Sequence, residues 1–328
     1  MKNQLRSLAR FAVLGALMSV LLQVAMTAQE ATPRNGDTNI HIFPTFTTVP
    51  ELPPPATPLI YHSGGVVMQN GVNTYAIFWV PAKLQNGGAT GMTAHYQGVE
   101  KNMLSDYPGH GLDNNSTQYY QTVGAVTSYI QNKGGLAASF VDTDAYPASG
   151  CSDSATPGNC ITDAQLQAEI AKVMAAKGWT PGLNKMFMVF TSSGEGSCFD
   201  SSSASCAYVQ YCAYHSYFGS TSTPAVYGNI PFADLSVCQE PGTPSPTGDA
   251  LADEVASTTS HELTEATTDP ELDAWYDSSG NEIGDKCAYN YGTNTWDSSK
   301  ANEMWNGHFY ELQREYDNHV AGCVQVGP

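Results

Sequence analysis

Lys185-Met186-Phe187-Met188-Val189-Phe190-Thr191 is a run of seven residues with five consecutive apolar side chains and no glycine or proline. A strand with one wet face alternates apolar and polar residues. A continuous apolar run belongs to a strand covered on both faces, at the centre of a sheet. Helix and strand signals alternate around it. Leu59–Met68 and Thr74–Val80 are β-branched and aromatic, with Asn70-Gly71 between them as a turn. Thr93–Leu104 has helical character, and Ala137–Val141 is a short strand candidate. Thr162-Asp163-Ala164-Gln165 is a capping box that opens a helix to about Lys177, with Leu166, Ile170 and Val173 on one stripe. Ala207–Tyr217 and Ala225–Pro231 read as further strands. Asp249 caps a helix running to about Thr268, stopped by Asp269-Pro270. The expected fold is α/β (α+β): one domain, a mixed β-sheet and flanking helices.

The ends of the chain read differently. Lys2, Arg6 and Arg10 precede an apolar run from Phe11 to Leu22 and the small-residue stretch Ala25-Met26-Thr27-Ala28. That is the pattern of a secretory signal peptide over residues 1–28, too short for a spanning helix of ~20 apolar residues. Residues 29–58 contain Glu51-Leu52-Pro53-Pro54-Pro55-Ala56-Thr57-Pro58 and little periodicity, which reads as a poorly ordered, proline-rich leader without chemistry of its own. The folded domain is expected over 59–328. Export makes the eight cysteines a disulfide framework, for which the neighbouring pairs 151–160, 198–206, 212–238 and 287–323 each close a short loop. No Cys-x-x-Cys knuckle is present, so a cysteine-ligated zinc finds no support.

Charge narrows the partners. The formal net charge is −18, and removing residues 1–28 takes away three cations and no anion, leaving −21. Nucleic acid and anionic membrane both need Lys and Arg, so neither is an expected partner, and the mature chain is not expected to insert into a membrane. Between Lys185 and Lys286 there is no Lys or Arg, while 15 Asp and Glu fall in that interval. An acidic stretch of this kind suits a metal, a cationic substrate, or work at low pH.

Within it lies Ser260-His261-Glu262-Leu263-Thr264-Glu265. Residues four apart share a helix face, so His261 and Glu265 point the same way. Glu262 is rotated about 100° from His261. In the His-Glu-x-x-His zinc helix two histidines hold the metal and the glutamate is the base for the attacking water. Here Glu265 stands at the second ligand position, and carboxylate oxygen is an accepted zinc ligand. A bare His-Glu-x-x-Glu arises by chance in on the order of a few per cent of such chains, as a solvated acidic helix face. The segment beyond the helix strengthens the motif. Ala274–Asp285 reads as a hairpin around Ser278-Ser279-Gly280-Asn281, which returns Asp285 or Glu282 to the helix as a third ligand. Asp285 is preferred because Gly284 permits close approach and Cys287 can pin the segment; Glu271 is a further candidate. The zincin-like reading is therefore Zn2+ on His261, Glu265 and Asp285, with Glu262 as general base.

The segments resemble the EXORDIUM, or phosphate-induced protein 1, family. The resemblance runs from Leu59-Ile60-Tyr61-His62-Ser63-Gly64-Gly65-Val66-Val67-Met68 and Val72–Trp79 through Tyr211-Cys212-Ala213-Tyr214-His215. It is sharpest over Ser260–Glu265, Ala274-Trp275-Tyr276 and Glu282-Ile283-Gly284-Asp285-Lys286-Cys287. It implies a secreted protein of the cell wall or envelope, with His261, Glu262, Glu265 and Asp285 as the shared polar centre. Glu271 falls where the plant members are apolar. The C-terminal part from Asn306-Gly307-His308 matches more loosely, and the plant growth role does not transfer with it.

Other residues have plainer readings. His215 reads first as a packed or surface histidine and second as lining the site. His62 reads as a turn residue, His308 and His319 as surface groups, and Tyr276 as packing. Ser260 lacks a Gly-x-Ser-x-Gly elbow, so a serine hydrolase is not expected. Two functions remain. One is a secreted zinc-dependent, metallopeptidase-like hydrolase acting on an extracellular peptide or another acyl bond. The other is a non-catalytic extracellular, periplasmic or cell-wall-polymer binding protein in which metal is structural or absent.

Overall fold

The run 185–191 lies inside the sheet, buried from Met186 to Thr191. The computed structural model describes residues 40–46, 57–239, 245–293 and 301–328. The expected signal peptide and most of the expected leader lie outside those residues. In chain order the main sheet consists of β1 (Ile40–Pro44), β2 (Val72–Trp79), β3 (Gly134–Asp142), β4 (Lys185–Thr191), β5 (Tyr211–Ser220) and β6 (Thr223–Ile230). Their spatial order is β1-β5-β6-β4-β2-β3. Strands β6, β4, β2 and β3 run parallel, β5 folds back antiparallel on β6, and β1 lies antiparallel on β5. The sheet is therefore mixed, as expected.

Three main helices cover it: α1 (Ala94–Asp106), α2 (Asp163–Lys177) and α3 (Ala250–Thr268). Their starts follow the sequence signals. Thr93 caps α1, Thr162 and Gln165 form the reciprocal capping box of α2, and Asp249 caps α3. Successive strand residues point to opposite faces, and β5 shows both. Tyr214 donates to Asp163 of α2 at 2.7 Å on one face, while His215 bonds Glu262 of α3 at 3.0 Å on the other. Helices α1 and α3 pack on each other on that second face. The fold is a single α/β domain with flanking helices. A smaller apolar cluster around Leu59, Trp275, Ile283 and Tyr316 sits beside the main core.

All eight cysteines pair, as 151–160, 198–206, 212–238 and 287–323. Among the described residues no helix is long and apolar enough to cross a membrane.

Two expectations need correction. Part of the leader is a strand: Ile40-His41-Ile42-Phe43-Pro44 forms the sheet edge, with Ile40 and Phe43 buried. The domain therefore begins before residue 59. Only five residues long and ending in proline, this strand is too short for a periodicity to show, and Pro44 is tolerated because an edge strand need not donate every N–H. The hairpin over 274–285 is also not one. Trp275-Tyr276 pairs with Ile60-Tyr61 instead. Asp277 closes the turn by accepting the N–H groups of Ser279 and Asn281 at 2.8 and 3.1 Å. The chain then curls so that Ile283 is fully buried, and Asp285–Cys287 forms a 3-10 turn.

Candidate functional site

Helix α3 carries the motif, and its sequence is unusually polar for its burial. His261, Glu262 and Glu265 all have 0% exposure. The solvated acidic face is excluded. Burial is possible because the hydroxyls bond back along the helix: Thr258 to the Glu254 carbonyl at 3.0 Å, Ser260 to Ser257 at 2.8 Å, Thr264 to Ser260 at 2.7 Å and Thr267 to Leu263 at 2.7 Å. That arrangement leaves Ser260 as a donor inside the helix. The imidazole and carboxylates are then the groups that need partners from elsewhere.

They converge on Glu265. On its Oε1 side lie His261 Nε2 at 3.1 Å and the Asp285 backbone N–H, which donates at 2.9 Å. Asp285 Oδ1 is 4.0 Å from His261 Nε2. The 282–287 segment reaches the helix because Gly284 has no side chain: a Cβ there would stand 2.5 Å from His261 Nδ1. The disulfide Cys287–Cys323 ties the segment down, and Lys286, buried beneath it, pairs with Asp277 at 3.0 Å. Gln313 fixes His261 from behind. Its Oε1 accepts the Tyr289 N–H at 3.3 Å, and its Nε2 faces the Gly284 carbonyl at 3.1 Å and His261 Nδ1 at 2.9 Å.

On the Oε2 side lie two further histidines. His41 Nδ1 is 3.5 Å and His215 Nδ1 3.7 Å from Glu265 Oε2. Glu282 bridges them, with Oε1 3.6 Å from His41 Nδ1 and Oε2 3.7 Å from His215 Nε2. Glu262 Oε2 bonds His215 Nδ1 at 3.0 Å. In β1 and β5, His41 and His215 are direct cross-strand partners, so the sheet edge sets their spacing.

Six buried atoms of this cluster have no hydrogen-bond partner: His41 Nδ1, His215 Nε2, His261 Nε2, Glu262 Oε1, Glu265 Oε2 and Glu282 Oε2. A native interior leaves few such groups, and clustering of them marks a bound ion or water. Donors ~2.1 Å from a tetrahedral Zn2+ stand about 3.4 Å apart. The separations here, 3.0–4.0 Å, bracket that spacing. The residues fit a divalent cation.

Burial and mutual charge shift the ionisable groups of the cluster in opposite directions. Burial drives the Glu262 carboxyl well above the usual range, and Glu265 adds to it. Burial does the same to Glu282, and pushes Asp285, with help from Glu265, up to about 6. Burial also favours the neutral form of Glu265, yet His261 and His41 hold it well below the usual range. Burial drives His215 down to about 3. Burial opposes charge on His41, but Glu282, Asp285 and Glu265 overcome it and raise that imidazole well above its ordinary value.

The structure brings together His261, Glu262, Glu265, Asp285 and Glu282. Glu271 stands outside every such group among the described residues, although it is itself buried. His215 joins the site, and His41, Gln313 and the buried Glu315, whose Oε1 accepts from Gln313 Nε2 at 3.4 Å, are additions that no sequence signal marked. His62 stacks on Tyr276 with ring centroids 3.5 Å apart and belongs to none of the ligand groups among the described residues. His308 pairs with Asp106 and His319 is exposed, as expected of surface groups. Comparison with protein-family models, with curated proteins and with solved structures finds no match for this chain.

Proposed function

We propose that this is an exported protein built around a divalent-cation centre, a zinc-dependent hydrolase of the EXORDIUM type acting on an extracellular peptide or another acyl bond. The observation that carries the reading is the convergence of buried, unpartnered nitrogen and oxygen atoms on Glu265. His261, Glu265 and Asp285 would hold Zn2+, which when bound supplies Lewis-acid polarisation of a carbonyl. Gln313 packs its amide against His261 Nδ1 at 2.9 Å and fixes the ring. Glu262, once it gives up the proton that burial favours, is the acceptor for an attacking water at its unpartnered Oε1, and its Oε2 keeps the bond to His215. His41 and Asp285, with side chains 21% and 13% exposed, are the members of the cluster that reach solvent and form its entrance. The paired cysteines and the basic, apolar N-terminal segment support export to an oxidising compartment.

A second reading has one specific observation in its favour. Glu262 and His215 are both fully buried, which suits a structural cation in a non-catalytic cell-wall binding protein. Metal analysis of the purified mature chain comes first, then hydrolysis of a broad peptide panel by wild type and Glu262→Gln. Stoichiometric zinc with activity lost in the variant supports the hydrolase. Zinc without any activity difference leaves the binding protein, and absence of metal overturns both metal readings.

A further inference from the structure

Glu265 has two oxygens, and they face different donors. His261 Nε2 and the Asp285 N–H surround Oε1, at 3.1 and 2.9 Å. His41 Nδ1 and His215 Nδ1 face Oε2, at 3.5 and 3.7 Å. We propose that the centre holds two divalent cations, the second on His41, Glu282 and Glu265 Oε2, with Glu265 bridging. This rests on the cation-centre reading above and extends it to His41 and Glu282, outside the His-Glu-x-x-Glu motif.

His41 carries the argument. Its Nε2 is 3.0 Å from the carbonyl oxygen of Gly280, an acceptor, so the Nε2 proton is donated there. In the neutral imidazole the lone pair is then on Nδ1. That atom is buried and has no hydrogen-bond partner. It looks at two carboxylate oxygens, Glu265 Oε2 at 3.5 Å and Glu282 Oε1 at 3.6 Å. With the ring neutral, as a ligand requires, three lone pairs converge there at about the 3.4 Å spacing that tetrahedral zinc imposes. A backbone carbonyl on the far nitrogen is also the usual support of a metal-binding histidine. His215 repeats the pattern: Nδ1 bonds Glu262, and the unpartnered Nε2 faces Glu282 Oε2 at 3.7 Å.

Charge is in keeping with more than one cation. Glu262, Glu265, Glu282, Asp285 and Glu315, which lies 3.4 Å from Gln313 Nε2, are five carboxyl groups, and the three histidines bring no charge when they act as ligands. Paired metals ~3.5–4 Å apart sharing a carboxylate clamp both oxygens of a displacement, which would make the hydrolytic site a two-metal one.

The test uses the full mature chain, stripped with a chelator, reloaded with Zn2+, desalted and analysed for bound metal. Two equivalents in wild type, falling to one in His41→Ala and in Glu282→Gln with circular dichroism unchanged, support the proposal. One equivalent in wild type overturns it and leaves the single-cation reading intact. Two equivalents retained in either folded variant overturn the assignment to these residues. No bound metal overturns the cation centre itself. Because β1 is an edge strand and His41→Ala could unfold it, wild type reloaded with Mn2+ gives an independent readout. A spin-coupled multiline spectrum at low temperature is expected, and an isolated Mn2+ signal contradicts a bridged pair.

Discussion

Gly284 shows how narrowly the site is assembled. Its backbone lies at φ −77° and ψ −42°, which any residue adopts. The constraint is space alone, since a Cβ would come within 2.5 Å of His261 Nδ1 and 2.9 Å of Glu265 Oε1. Gly284→Ala should therefore fold, displace the 282–287 segment from α3, and lower zinc affinity by about 10–100-fold, the usual effect of disturbing groups behind a metal ligand. Calorimetric titration of the stripped protein with Zn2+ checks this, and unchanged affinity would contradict the packing argument. At this scale the sequence was informative where spacing is local. His261 and Glu265 share a face by helical period, and Asp285 follows a glycine within a short loop. His41 and His215 were not legible as partners, because what joins them is cross-strand register between segments far apart in the chain, and one of them sits in a proline-rich context that hides a five-residue strand.

Element by element, α3 is the part most fully written in the sequence. Asp249, Thr268 and Asp269 fall where the capping signals put them. The Asp249 carboxylate accepts the Ala252 N–H at 3.2 Å, so Asp249→Ala should cost about 1 kcal/mol, read as a lower midpoint in urea with an unchanged slope. The loop that answers α3 was less legible. Polar residues around Ser278-Ser279-Gly280 suggested two paired strands, but Ile283 is drawn into the small core and Trp275-Tyr276 pairs with residues near the start of the domain. The disulfide 287–323 ties this loop down beside the Lys286–Asp277 pair and the Asp285 N–H bond to Glu265. Replacing both cysteines by serine should lose about 2–5 kcal/mol. It should also weaken zinc binding, because Glu282 and Asp285 lose their anchor. Loss of stability with zinc affinity intact would show that the segment positions itself.

Over the whole molecule the acidic excess has become a buried one. Burial alone pushes Glu195 up to about 8, and pushes Asp113 up to about 8 against one backbone hydrogen bond. Burial likewise pushes Glu303 up to about 7. Each binds its proton more tightly folded than unfolded, where the pKa is about 4. Their contribution is thus fully present below about pH 4 and is lost as pH rises through 7–8. The metal-free protein should melt at a higher temperature at about pH 5.5 than at about pH 8.5, and the reverse order in a thermal scan would contradict this protonation pattern. Cation binding should oppose the trend by displacing the protons held around Glu265, with proton release visible as buffer-dependent binding heat. The most direct test of the cation centre is thermal unfolding of the chelator-stripped chain with and without Zn2+, beside Glu265→Gln. At a hundredfold excess over Kd, binding contributes about 2.7 kcal/mol, a rise on the order of 5–10 °C for a domain of this size. Such a rise in wild type, largely absent in Glu265→Gln, is the expected result; superimposable wild-type curves with and without zinc would contradict the account.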